Sequence, residues 1–92
     1  MSDVIRHDPA GQCFSIETDG ETARLDYERD GSVMVITHTV VPPAIGGRGI
    51  AGQLVRAALD HARAEGWKVR PACSYADGWM SRHPQYASLR AS

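Results

Sequence analysis

The sequence predicts a mixed α/β (α+β) domain: an antiparallel meander, then a β-α-β crossover, then a short C-terminal helix. Three observations predict it. Residues 14–41 alternate apolar and polar side chains and are broken by two Asp-Gly pairs, Ile50 to Ala62 carry an apolar repeat every four residues, and a strand-like segment follows Gly66.

The strand signals begin where Phe14 and Ile16 alternate with Ser15 and Glu17, and continue where Ala23, Leu25 and Tyr27 alternate with Arg24, Asp26 and Glu28. Asp19-Gly20 should turn this first pair, because Gly accepts positive φ and Asp tolerates it. Asp30-Gly31 repeats the signal before a third strand from Ser32 to about Val41. On that strand Val33, Val35, Thr37 and Thr39 fall on one face, and Met34, Ile36, His38 and Val40 on the other. Both faces are expected to be covered, as in a sheet with helices packed around it.

The helix signal is the strongest in the chain. Ile50, Leu54, Ala58 and Ala62 form a stripe widened by Ala51, Val55 and Leu59, while Gln53, Arg56, Asp60 and Arg63 share the opposite side. The helix should run from about Arg48 to Glu65, with Gly66 as the left-handed residue at its C-terminus. Trp67 to Ala72 reads as a strand that Pro71 confines to an edge or a bulge, because proline has no ladder donor. A strand-helix-strand order implies a right-handed crossover between parallel strands. Ser74-Tyr75-Ala76-Asp77 has the spacing of a capping box for a last short helix, which Pro84 should stop near Arg82 or His83. Ala87 to Ser92 are expected to fray.

With 92 residues, 42% hydrophobic and 23% charged, the chain reads as a single domain over residues 1–92. A domain of this size buries about 60 to 65% of its unfolded surface, so a ligand site must lie at the edge of the core. A net charge of −1 gives no basic field for nucleic acid. No stretch reaches the ~18 apolar residues of a membrane span, and the N-terminus has no apolar signal run; the cytoplasm is the expected location. Cys13 and Cys73 should then be reduced thiols. His7, His38, His61 and His83 are too widely spaced for a metal motif, so no metal is expected.

The segment from Pro42 to Gly52 joins the third strand to the long helix and gathers glycines at the helix start. The first N–H groups of a helix have no internal partner and the macrodipole is positive there, so an anion is favoured. Gly47-Arg48-Gly49-Ile50-Ala51-Gly52 matches the dinucleotide pattern GxGxxG, but Trp67 and Lys68 stand where that fold needs an acidic residue. A Walker loop fails because no Gly-Lys-Ser/Thr follows. A glycine-rich turn with no ligand is the remaining alternative.

Gly46-Gly47-Arg48-Gly49-Ile50-Ala51 at this junction resembles the pyrophosphate loop of the GNAT superfamily of acetyl-CoA-dependent N-acetyltransferases. Gly46 departs from the Gln or Arg usual at the first position of that loop, so one side-chain contact is missing. The order of elements from about Gln12 to Tyr86 is similar to that superfamily. Pro71-Ala72-Cys73-Ser74-Tyr75 and His83-Pro84-Gln85-Tyr86 resemble its minimal, single-domain branch. The resemblance implies a GNAT-like fold that binds acetyl-CoA and transfers the acetyl group to a primary amine: a protein lysine, a polyamine or a small amine. It implies that Val40 and Val41 pair with the pantetheine arm through their backbone and that Gly46 to Ala51 cradle the pyrophosphate. The thioester would then lie between the long strand and the one ending at Cys73 and Ser74. A rival from another class is a non-catalytic acyl-CoA-binding or protein-interaction module.

Four side chains are candidates for the chemistry. Cys73 precedes a helix start, where a thiol pKa falls, and is a candidate nucleophile; a buried cysteine is equally a small hydrophobe. His38 interrupts an apolar face and is a candidate to take the ammonium proton through water, or a satisfied core histidine. Tyr75 and Tyr86 are candidates to protonate the departing thiolate, or aromatics packed on the sheet. Arg48 either adds charge to the phosphate site or faces solvent. Trp67, Trp79 and Met80 read as packing.

Overall fold

A computed structural model describes residues 4–91. Five strands, β1 (Ile5–Asp8), β2 (Cys13–Thr18), β3 (Glu21–Asp30), β4 (Val33–Val40) and β5 (Lys68–Pro71), form one sheet in the order β1-β2-β3-β4-β5. The first four are antiparallel neighbours, and β5 joins β4 in parallel after the helix α1 (Ile50–Glu65). A second helix, α2 (Ser74–Ser81), and a 3-10 segment, Pro84–Leu89, close the chain.

The expected hairpins form where Asp-Gly demands them. Asp19 and Gly20, at φ 52° and 76°, make the two-residue β2–β3 turn. The β3–β4 turn uses Gly31 and Ser32 between the paired residues Asp30 and Val33, with positive φ at Gly31. Strand β1 was not expected; its register sets Ile5 against Ile16 and His7 against Phe14, so only two of its side chains face the core side.

Every fully buried sheet residue lies on one face: Phe14, Ile16, Ala23, Leu25, Tyr27, Met34, Ile36 and Val69. Against them α1 sets Ile50, Leu54, Val55, Ala58, Leu59 and Ala62, and α2 sets Ala76, Trp79 and Met80. Full burial of each large aliphatic side chain contributes about 1.5 to 3 kcal/mol. The expectation of helices on both faces is corrected. The opposite face carries the exposed Arg24, Glu28 and Arg70 and leaves Val33 and Val35 half-buried.

A second correction comes from a bulge in β4. Tyr27 pairs with Ile36 but Asp26 pairs with His38, so Thr37 is an extra residue, and its hydroxyl donates to the Asp26 carbonyl at 3.2 Å. One extra residue inverts the alternation beyond it. Thr39 now pairs with the buried Leu25, on the helix side, whereas His38 and Val40 turn to the open face and are exposed. His38 therefore does not belong to the apolar face of Met34 and Ile36.

Helix α1 starts two residues later than expected, after Gly49, and ends as expected at Gly66, φ 76°. The chain beyond Ala87 is ordered rather than frayed: Leu89 is buried and the Ala91 N–H donates to the Val69 carbonyl at 2.8 Å, along the outer edge of β5. Ser92 lies outside the described residues.

Candidate functional site

Strands β4 and β5 separate where Pro71 ends their ladder. Their last register pair is Ile36 with Pro71, after which the Cys73 N–H donates to the Ile36 carbonyl at 3.0 Å and the chain turns into α2. From Thr37 to Val40, β4 keeps β3 on one side and has no strand on the other among the described residues. This leaves an opening in the sheet bordered by Thr39, Val40 and Cys73.

After β4 the chain passes Pro42 into a 3-10 turn, Pro43–Ile45, pinned by the fully buried Ile45. Gly46 is extended, whereas Gly47 and Gly49 have φ of 79° and 74°. A Cβ at Gly47 or Gly49 would meet nothing within 4 Å, so these glycines are required by conformation and not by crowding. The change in sign of φ across Gly47, Arg48 and Gly49 is of the kind that aims successive N–H groups to one side. The first backbone bond of the helix runs from the Gln53 N–H to the Gly49 carbonyl, and the N-cap supplies no side-chain acceptor. The N–H groups of Ile50, Ala51 and Gly52 are thus left for an outside acceptor. No acidic residue occupies the first turn, so the positive end of the helix dipole is not neutralised.

Beside this helix start lies a groove of about 310 Å³ lined by Gly49, Gly52, Gln53, Arg56 and Trp79. Here Gly52 is crowded. A Cβ on it would sit 3.1 Å from Trp79 Nε1 and 3.5 Å from the Tyr75 hydroxyl, so its absence lets α2 approach α1. The sequence alone does not point to Trp79 or Arg56. The detectable signal was the glycine three residues into a helix, where it costs about 1 kcal/mol relative to alanine unless something must come close.

Of the candidate residues, Tyr75 reaches the start of α1, its hydroxyl 3.5 Å from where a Cβ on Gly52 would sit, while Cys73 and Ser74 lie where β5 turns into α2, Cys73 beside Thr39. Cys73, and not Ser74, is the N-cap of α2, at φ −83° and ψ 132°. The expected capping box is absent, because Asp77 pairs instead with Arg90 at 2.7 Å. Burial raises the Cys73 pKa, but the Ala76 and Tyr75 N–H groups and the hydroxyl and N–H of Thr39 outweigh it, and the thiol lies below its ordinary value. Its Sγ is 3.6 Å from Thr39 Oγ1. Tyr75 is 38% exposed.

The other candidates lie elsewhere. His38 is exposed on the open face across from Asp26, and Val40 is 51% exposed beside it. Val41 packs against the core edge. The Tyr86 hydroxyl donates to Asp60 at 2.7 Å, ten residues along α1 from Ile50; at the helical rise this is about 15 Å from the glycine loop. Burial and that carboxylate both raise the Tyr86 pKa, so its proton is committed there. The Arg48 guanidinium forms an ion pair with Asp19 of the β2–β3 turn and is not aimed at the first-turn amides.

Comparison with known proteins identifies the fold and family. The family described as GCN5-related N-acetyl-transferase matches residues 13–89. The mouse protein NATD1 is 37% identical over 83 residues, covering 87% of this chain and 76% of its own length. Zebrafish NATD1 is 38% identical over 87 residues, covering 89% of this chain and 79% of its own. Among solved structures, a GCN5-like protein of Staphylococcus aureus assigned as an N-acetyltransferase superposes with a TM-score of 0.77 at 26% identity, over 97% of this chain and 88% of that one. The shared sequence spans the strand opening, the glycine loop and α2, and the chain belongs to the GCN5-related N-acetyltransferase family, whose members are acyltransferases.

Proposed function

We propose that this enzyme binds acetyl-CoA in the groove at the start of α1 and transfers the acetyl group to a primary amine on a protein lysine, a polyamine or a small molecule. The observation that carries the reading is the uncapped helix start, with three N–H groups free, no acidic residue in the first turn and left-handed glycines leading into it. A diphosphate supplies the acceptors these donors lack, and charge-assisted hydrogen bonds contribute about 1.5 to 3 kcal/mol each. Gly46 to Ala51 hold the diphosphate, the main chain of Val40 and Val41 pairs with the pantetheine arm, and the thioester reaches the opening beside Cys73 and Ser74.

In the transfer, the lone pair of the neutral amine forms the new bond to the acetyl carbon while the bond from that carbon to the CoA sulfur breaks. Tyr75, whose hydroxyl lies near Gly52, donates the proton to the departing sulfur. His38 takes the ammonium proton through water from the open face, where its exposure gives an amine access. Tyr86 is not retained in this reading, because its hydroxyl is bonded to Asp60.

The lowered Cys73 pKa favours a second route, in which the thiolate attacks the thioester, CoA leaves, and the amine then resolves the acetyl-cysteine. A reducing compartment, the cytoplasm, suits a thiol in that role.

Incubation with radiolabelled acetyl-CoA and a panel of amines, polyamines and lysine peptides tests the proposal. Label should move to at least one amine, and acetyl-CoA should raise the melting temperature more than NAD or ATP at equal concentration. Stabilisation without transfer would support a binding module, and stabilisation by NAD alone would overturn the assignment of the groove. A gain of one acetyl group on Cys73, lost in Cys73→Ala together with turnover, would select the covalent route.

A further inference from the structure

We propose that the groove is a two-station anion site. Trp79 Nε1 joins the first-turn amides on the diphosphate, and Arg56 holds a separate phosphate monoester one helical turn away, so that CoA is distinguished from dephospho-CoA. This rests on the acyl-CoA reading above.

Trp79 is 5% exposed, yet no hydrogen bond among the described residues involves its indole nitrogen. No buried side-chain nitrogen or oxygen lacks a partner among the described residues, so Nε1 is not sealed in the core and opens on the groove it lines. The ring is held in place. His83 stacks on it at 3.6 Å and 10°, His83 Nδ1 donates to the Trp79 carbonyl at 2.7 Å, and Tyr86 leans on it at 5.5 Å. The result is a preorganised donor beside Gly52, whose binding incurs little ordering entropy.

Arg56 lines the same groove, its guanidinium carbon 5.8 Å from the Trp79 ring centroid. Gly49, Gly52, Gln53 and Arg56 share one helix face, and Arg56 lies about 6 Å further along the axis than Gly52. No salt bridge among the described residues includes Arg56, whereas Arg48 is paired with Asp19. Asp60, four residues beyond Arg56 along α1, accepts the Tyr86 hydroxyl. A diphosphate on the first-turn amides leaves this cation unmatched. In CoA the adenosine ribose carries both the diphosphate chain and a phosphate monoester, which supplies the second anion at that spacing.

Calorimetric titration of the wild-type protein, Arg56→Gln and Trp79→Phe with CoA and with dephospho-CoA tests the proposal. Wild type should bind CoA about five- to tenfold more tightly, with the ratio shrinking as salt rises. Arg56→Gln, at an exposed position, should weaken CoA alone and bring the ratio to one. Trp79→Phe keeps an aromatic side chain without the N–H and should weaken both ligands about equally, by roughly three- to fivefold. Equal affinities in wild type, or an unchanged ratio in Arg56→Gln, would overturn the two-station site. Failure of both ligands to bind wild type would instead overturn the acyl-CoA reading beneath it.

Discussion

The two ends of α1 are finished in opposite ways. At the C-terminal end Gly66 returns its N–H to the Ala62 and Arg63 carbonyls, and Trp67 donates to Ala62 at 2.8 Å. Around it His7 stacks on Phe14 at 4.1 Å, His61 meets Trp67 at 5.2 Å, and the Arg29 guanidinium lies 3.9 Å over the Trp67 ring. Even the polar tips are matched, since His7 Nε2 and the Tyr27 hydroxyl are 2.6 Å apart. At the N-terminal end nothing caps the helix, Trp79 Nε1 and Arg56 have no hydrogen-bond or ion-pair partner among the described residues, and the glycines hold the chain in an αL loop. One end closes the core, and the other leaves its donors open to an acceptor from outside the chain. On the proposed reading, the first end serves stability and the second binding.

Substitutions should therefore separate the two properties. The largest effect is expected from Phe14→Ala, which empties a buried ring site at the closed end and should lower folding stability by about 3 to 5 kcal/mol while leaving acetyl-CoA affinity unchanged in the folded fraction. Chemical denaturation with parallel binding measurements checks it. Ala51→Asp should do the reverse. A carboxylate in the first turn interacts favourably with the helix dipole by about 0.3 to 1 kcal/mol, yet should weaken acetyl-CoA by roughly 100-fold, because it occupies and repels at the anion site. A parallel loss of both properties in either variant would show that the two ends are not independent.

A smaller effect should follow pH. Burial, and next the neighbouring His61, hold the His7 pKa below 6.5, with Asp8 opposing. Folding thus favours the neutral ring, and this contribution is complete above the ordinary histidine value and is lost as pH falls through the lowered one. Denaturation midpoints from about pH 8 to about pH 5 should decline on the acid side, and His7→Gln should flatten the decline. The smallest change is expected from Asp19→Asn. Loss of an exposed ion pair should alter stability by less than about 1 kcal/mol. Releasing Arg48 should strengthen acetyl-CoA binding by up to about threefold at low salt.

Much of the fold was legible in local chemistry. Asp19-Gly20, Asp30-Gly31 and the Ile50-to-Ala62 stripe each name their element because each depends on neighbours in sequence. Strand β1 was not, since only Ile5 and His7 face inward and its pairing with β2 supplies the rest. The bulge at Thr37 was equally hidden: strict alternation assigns His38 and Val40 to the core face, and only the partner strand reveals the extra residue. The C-terminal segment looked free because Arg90 and Ala91 gain their partner, Val69, from more than twenty residues back, and Leu89 is buried only once the core has assembled. Of the candidate site, the left-handed glycines of the loop and the place of Cys73 before a helix were readable in the sequence. Trp79 and Arg56 were not, because their juxtaposition depends on the α1–α2 crossing at Gly52.

The unpaired amides at the open end can be followed directly by nitrogen-15 NMR during titration with acetyl-CoA. The largest shifts should fall on Gly47, Gly49, Ile50, Ala51 and Gly52 and on the Trp79 indole N–H, while the Trp67 indole stays unmoved. Saturating ligand that leaves those amides in place, or shifts centred on Trp67 and His61, would contradict a diphosphate held at the start of α1.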